Sequence, residues 1–178
     1  MKNKILWITR TAVVIALLVT VQALMKPFGQ FVTGSCVNLV LALSVCLAGL
    51  PTGLTVAVIS PVLAFLLGIA PQILTVPAIM AGNCVFVLLL RVLSGKRFWR
   101  QIVACVVAAS AKFAVLYGIV AGLICGLLAD SLLAAGVLKA PMLKLLPATF
   151  GWPQLVTALI GGVLAACVLP VVRKAVQR

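Results

Sequence analysis

The chain contains no histidine and no glutamate, and Asp130 is its single acid. His-based triads, paired carboxylates, zincin motifs and carboxylate cages for metals all need residues that are missing, so hydrolytic or metal-assisted catalysis has almost nothing to work with. Neither a metal nor an organic cofactor is expected. A Walker A loop with its Lys-Ser/Thr pair is absent as well, so any ATP used with this protein must be hydrolysed by a partner. Charge of either sign is scarce. Only 8% of the 178 residues are charged while 65% are hydrophobic, which excludes a soluble globular domain and reads as one integral membrane unit over residues 1–178.

What is present is a series of apolar runs. About 20 apolar residues at a rise of 1.5 Å cross a hydrocarbon core of roughly 30 Å. Six runs approach that length: Ile5 to Met25, Gly34 to Gly49, a third ending near Gly68 with Pro61 as a kink, Thr75 to Leu93, Gln101 to Leu128, and Trp152 to Val172. Lys26-Pro27 with Gly29, Leu50-Pro51-Thr52-Gly53, and Pro71 punctuate them as turns. The first run follows Lys2 and Lys4, yet its length and the five similar runs behind it favour a retained span over a cleaved signal. The expected fold is therefore all-α, a bundle of six transmembrane helices.

The net charge of +13 would suggest nucleic acid in a soluble protein. Here it is topological. Six spans place both termini on one side, with Lys2, Lys4, Arg10, Arg91, Lys96, Arg97, Arg100, Arg173, Lys174 and Arg178 on that face against Lys26, Lys139 and Lys144 on the other. The positive-inside bias makes the terminal face cytoplasmic, and no nucleic-acid partner is expected.

Lys112 belongs to neither face. Counted from Arg100 it lies about 18 Å into the membrane, where a cation is costly and marks a functional site. Asn83, about 12 Å below the outer face on the antiparallel fourth run, shares its level. Asn38, Tyr117, Trp152 and Gln154 fall in the same outer half, so polar groups from four spans converge on an outward-facing pocket. Each has a blander reading: an intramembrane Asn often only bonds a neighbouring helix, for about 0.6 kcal/mol. Trp and Tyr often only mark the membrane interface. With no acid at its depth, Lys112 points to an incoming carboxylate or phosphate. Asn83 and Asn38 then supply hydrogen bonds, and Tyr117, Trp152 and Gln154 shape the mouth. The segment Ala129 to Gly151, too short and broken to span, is either a gate over that mouth or an interfacial stretch.

Small residues at four-residue spacing allow close helix approach. Gly118, Gly122 and Gly126 on the fifth span and Ala158, Gly162 and Ala166 on the sixth read as packing inside the bundle. Ala12 and Ala16 make a smooth strip on the first span, equally suited to another subunit. Cys36, Cys46, Cys84, Cys105, Cys125 and Cys167 form no C-x-x-C pair and read as small apolar residues. Ser110 and Lys112 do not make a catalytic pair, because residues two apart on a helix point about 200° apart.

With these residues in view, the chain resembles the substrate-binding S component of an energy-coupling factor (ECF) transporter, a vitamin-uptake branch of ATP-driven importers. The likeness spans the chain. It is carried by six short spans, T-R-T-A-V-V-I-A at Thr9 to Ala16, the Gly34 to Asn38 stretch, the G-L-P-T-G turn, and F-G-W-P-Q-L-V-T-A-L-I-G-G at Phe150 to Gly162. The resemblance implies a prokaryotic plasma-membrane subunit that is no enzyme and binds a micronutrient in its outer half. Ala12 and Ala16 would dock on a coupling transmembrane subunit, two ATPase subunits would supply energy, and the S component would tip over in the bilayer to release its cargo. The competing reading is an autonomous secondary carrier or channel, which usually relies on intramembrane acids that this chain does not have.

Overall fold

The computed structural model describes residues 2–70, 72–95 and 97–176, so the break expected at Pro71 and the basic positions Lys96 and Arg178 lie outside the described residues. All regular structure among the described residues is helical. Helix α1 (Lys2–Met25) leads through a 3-10 turn at Lys26–Phe28 into α2 (Gly29–Leu43), which ends in a π-helical turn at Ser44–Ala48. The apolar run Lys4–Ala48 has 45 residues. Drawn straight at 1.5 Å per residue it would measure about twice the hydrocarbon core, so it has to fold back. It does so where Pro27 withholds a backbone N–H and Gly29 takes a φ of 84°, and the Thr33 hydroxyl closes the turn on the Met25 carbonyl at 2.8 Å.

Helix α3 (Leu50–Leu66) starts one residue after Gly49, whose φ is 94°. The tight turn expected at Leu50 to Gly53 is therefore at Gly49 alone. Leu50-Pro51-Thr52-Gly53 is already the first helical turn, with Pro51 in the early position where a missing N–H costs nothing and the Gly53 N–H bonded to the Gly49 carbonyl at 3.0 Å. After a 3-10 turn at Ile73–Thr75 comes α4 (Val76–Leu93), followed by α5 (Phe98–Tyr117), a π-helical continuation at Gly118–Leu127, the short α6 (Ala129–Ala134) and α7 (Met142–Phe150), and finally α8 (Trp152–Val176). Four apolar runs are long enough to cross a membrane and α3 is a shorter one. Since the first long run folds into two helices, α1, α2, α3, α4, α5 and α8 give six passes. The fold is an all-α membrane bundle, with large apolar side chains such as Ile5, Val13, Leu66, Val92 and Val171 exposed on its outside.

Two cores hold it together. One joins Leu18, Leu41, Val45, Val56, Phe86, Val87 and Leu90 with the alanines 104, 108, 109, 158 and 165, nearer the terminal face. Small residues make it tight: a Cβ on Gly161 would stand 2.6 Å from the Asn38 Cβ, and one on Gly53 would stand 2.8 Å from the Val87 Cγ1. The Ala158, Gly162, Ala166 row faces this interior as expected, with Ala158 and Ala166 buried and the Cys105 thiol donating to the Gly162 carbonyl at 3.2 Å. The second core lies at the opposite end, where Leu138, Leu146 and Phe150 of the α6–α7 segment pack on Ala78, Leu116, Val120 and Ile124. That packing turns Val120 and Ile124 inward and the glycines of the same segment outward. Gly118, Gly122 and Gly126 are exposed, and a Cβ on Gly118 or Gly122 would touch nothing within 4 Å, so this row does not serve packing inside the bundle.

Candidate ligand cavity

The buried stripe of α5 runs Cys105, Ala108, Ala109, Lys112, Leu116, the three- and four-residue spacing of one helix face. This spacing, and not polarity, brings Lys112 inside, with 3% of its surface exposed. Its stem lies along Gly82 of α4, where even a Cβ would be 3.4 Å from the Lys112 Cγ. Its Nζ sits 5.5 Å from the centroid of the Phe86 ring, within cation–π range, and donates a hydrogen bond to the Asn38 Oδ1 of α2. Asn38 in turn leans on Thr157 of α8, its Nδ2 3.5 Å from the Thr157 Oγ1. An amide oxygen, not a carboxylate, thus receives the lysine. Asp130 is exposed at the start of α6.

Lys112 and Asn38 lie on the wall of a cavity of about 330 Å³ in the half of the bundle away from the termini. Every helix except α6 contributes to it. Of the residues singled out in the sequence, Lys112, Asn83, Asn38 and Gln154 lie on the wall. Tyr117 and Trp152 do not shape it. Tyr117 is 41% exposed and stacks on Phe113 at 5.6 Å, and Trp152 is 64% exposed, its ring 5.6 Å from that of Phe31. The reason is angular. Tyr117 is five positions from Lys112 and Trp152 two from Gln154, offsets of about 140° and 200° around a helix, so each aromatic has the right height and the wrong face.

Several wall residues fall outside the expected site: Gln22 and Ser60, single polar side chains in apolar runs, and Lys26, Gln30 and Thr33, which lie in the turn between the first two runs. Pro61 explains one arrangement. A helical proline has no N–H for the carbonyl four residues earlier, and the freed Ala57 carbonyl accepts from the Asn83 Nδ2 at 3.4 Å. On the neighbouring turn Gln22 of α1 donates its Nε2 to the Ser60 carbonyl at 3.2 Å. Both amides spend their N–H groups on α3, which leaves the buried oxygens Asn83 Oδ1 and Gln22 Oε1 without a hydrogen-bond partner.

The mouth is tied across chain segments. The Lys26 Nζ donates to the Leu67 carbonyl at 2.7 Å, next to Gly68 with its φ of 66°, and the Gln30 Nε2 donates to the Thr149 carbonyl at 3.2 Å. Thr149 and Phe150, the end of α7, line the cavity, so the segment Ala129 to Gly151 folds onto the bundle as part of its cover.

A membrane-embedded helical bundle around a ligand-sized, partly open cavity, with a few polar groups set in a mainly apolar wall, has the geometry of a small-molecule binding protein. The chain matches the family model for the ECF transporter, substrate-specific component, over residues 8–173, and it belongs to that family. No match is found among curated proteins or among solved structures. The family is a transport family and not an enzyme class, and Ser110, exposed on α5 while Lys112 is buried, does not approach the lysine's face.

Proposed function

We propose that this chain is the substrate-binding subunit of an ECF-type ATP-driven importer for a small anionic vitamin or cofactor precursor, working in a prokaryotic plasma membrane. The observation that carries the reading is Lys112: a buried ammonium on the wall of a partly open cavity, hydrogen-bonded to the amide oxygen of Asn38 and with further N–H groups to give. A carboxylate or phosphate arriving from outside completes it, since a buried charge needs an opposite partner. Asn38 positions the ammonium, Asn83 and Gln154 provide polar contacts, and α7 covers the chamber.

The energy comes from a coupling transmembrane subunit and two ATPases. Ala12 and Ala16 are exposed on α1, whose opposite stripe of Thr11, Leu18 and Gln22 is buried in the bundle, so the strip is free to meet the coupling subunit. Co-expression with a coupling module tests this. Ala12→Trp or Ala16→Trp abolishes co-purification of the module and uptake while leaving ligand binding intact; uptake into liposomes by the chain alone contradicts it.

A further inference from the structure

A hollow of about 670 Å³ opens on the face that carries the termini, at the other end of the bundle from Lys112. The π-helical turn after α2, the end of α4 and the end of α8 surround it, and helix C-termini carry partial negative charge. By itself such a place repels an anion. Two guanidinium groups reverse the sign, because Arg91 of α4 and Arg173 of α8 both line the hollow. No acidic side chain lies near them, since the single acid, Asp130, starts α6 at the opposite end. Arg100, by contrast, already gives its Nε N–H to the Leu93 carbonyl at 3.2 Å. It also fixes one wall: a Cβ on Gly95 would stand 2.5 Å from the Arg100 Cδ, and the Gln101 Nε2 donates to the Gly95 carbonyl at 3.2 Å. The Ser94–Gly95 link that lines the hollow is thus pinned to α5. The border is apolar and faces lipid. Val92, next to Arg91, is 71% exposed, Val171, two residues before Arg173, is 69% exposed, and Leu47 in the lining is exposed as well. Exposed Trp7 and Trp99 mark this end as a membrane–water interface.

We propose that this hollow seats the headgroup of one anionic phospholipid of the cytoplasmic leaflet, its phosphodiester held between Arg91 and Arg173 and its acyl chains lying along the apolar border. The planar guanidinium fork matches phosphate oxygens two at a time, and basic clefts between membrane helices on the cytoplasmic side select acidic headgroups. A free inorganic anion has no use for the exposed Val92, Val171 and Leu47, whereas a lipid covers them. The general basic excess of this face attracts acidic lipid diffusely; the hollow holds one molecule in place. Its occupant is independent of the cargo at Lys112, so either site can fail without the other.

The test uses the delipidated full chain in detergent, titrated with phosphatidylglycerol, phosphatidylcholine or inorganic phosphate and read by native mass spectrometry. One phosphatidylglycerol per chain is retained about tenfold or more tightly than phosphatidylcholine, and millimolar phosphate does not displace it. Arg91→Gln combined with Arg173→Gln removes that preference. Arg97→Gln combined with Lys174→Gln takes the same charge from the same face outside the hollow and keeps it. Equal retention of the two lipids by the wild type, a measurement that needs no variant, overturns the proposal. Equal loss in the two double variants also overturns it, since the attraction is then diffuse surface charge. Displacement by millimolar phosphate means a free-anion site and not a lipid seat. Unchanged phosphatidylglycerol retention in the Arg91 and Arg173 variant, with loss of a co-expressed coupling module instead, assigns the hollow to a protein partner and overturns the lipid.

Discussion

Near the termini, α2, α4, α5 and α8 close on a void of about 10 Å³ lined by residues such as Ala42, Leu90, Gln101, Cys105 and Ala165, while further out the same four helices, joined by α1, α3 and α7, surround about 330 Å³. The smaller void is at the limit of one water molecule. The difference follows from side-chain choice. At the terminal end alanine, glycine and cysteine let the backbones meet, around a single buried amide, Gln101, whose Nε2 donates to the Gly95 carbonyl at 3.2 Å. At the other end Pro61 breaks the backbone ladder of α3, and amides from α1 and α4 cap the carbonyls there, so polar side chains rather than small ones meet across the helices. A larger hollow exists at the terminal surface, near Arg91 and Arg173, but Arg91 is exposed and no buried amide or ammonium lines it.

The comparison breaks most severely at the contact the tight end depends on. Gly161→Val drives side-chain atoms into the α2 backbone and the Asn38 Cβ, and the expected cost is about 3 kcal/mol or more, seen as a collapse in melting temperature or yield from detergent. Untying the mouth is milder. Gln30→Ala removes one bond to the Thr149 carbonyl, worth about 1 kcal/mol, and its signature is faster ligand release with little change in melting. Smaller still, Trp152→Phe, on the outer surface beside Phe31, changes ligand affinity by less than about twofold, because interfacial contacts away from the cavity contribute little to binding. Gly122→Ala has the least effect on the isolated chain. It meets open space, so stability holds or rises by up to about 1 kcal/mol in a thermal melt, unlike any addition at Gly161.

Much of this was legible in the residues. Counting residues from the span ends puts Lys112 and Asn83 at one depth, and the structure seats the Lys112 stem on Gly82, the neighbour of Asn83. Depth gives height without direction, which is why Tyr117 and Trp152 entered the expected site and sit outside the cavity. Gln22 and Ser60 were hidden for another reason: a single glutamine or serine inside an apolar helix looks like packing glue until its partner helix is known. The two small-residue rows make the same point. Ala158, Gly162, Ala166 and Gly118, Gly122, Gly126 are equivalent patterns, and only the docking of α6 and α7 onto Val120 and Ile124 turns the second one outward.

The central claim is that the outer cavity holds an anion on Lys112. Mass spectrometry of the small molecules extracted from purified wild-type protein and from Lys112→Met tests it most directly. The account predicts one negatively charged species near one per chain in the wild type, depleted about a hundredfold in affinity by the substitution while the melting temperature of the ligand-free protein barely moves. The same species at the same occupancy in both proteins, or a bound molecule without an ionisable acid, would contradict it.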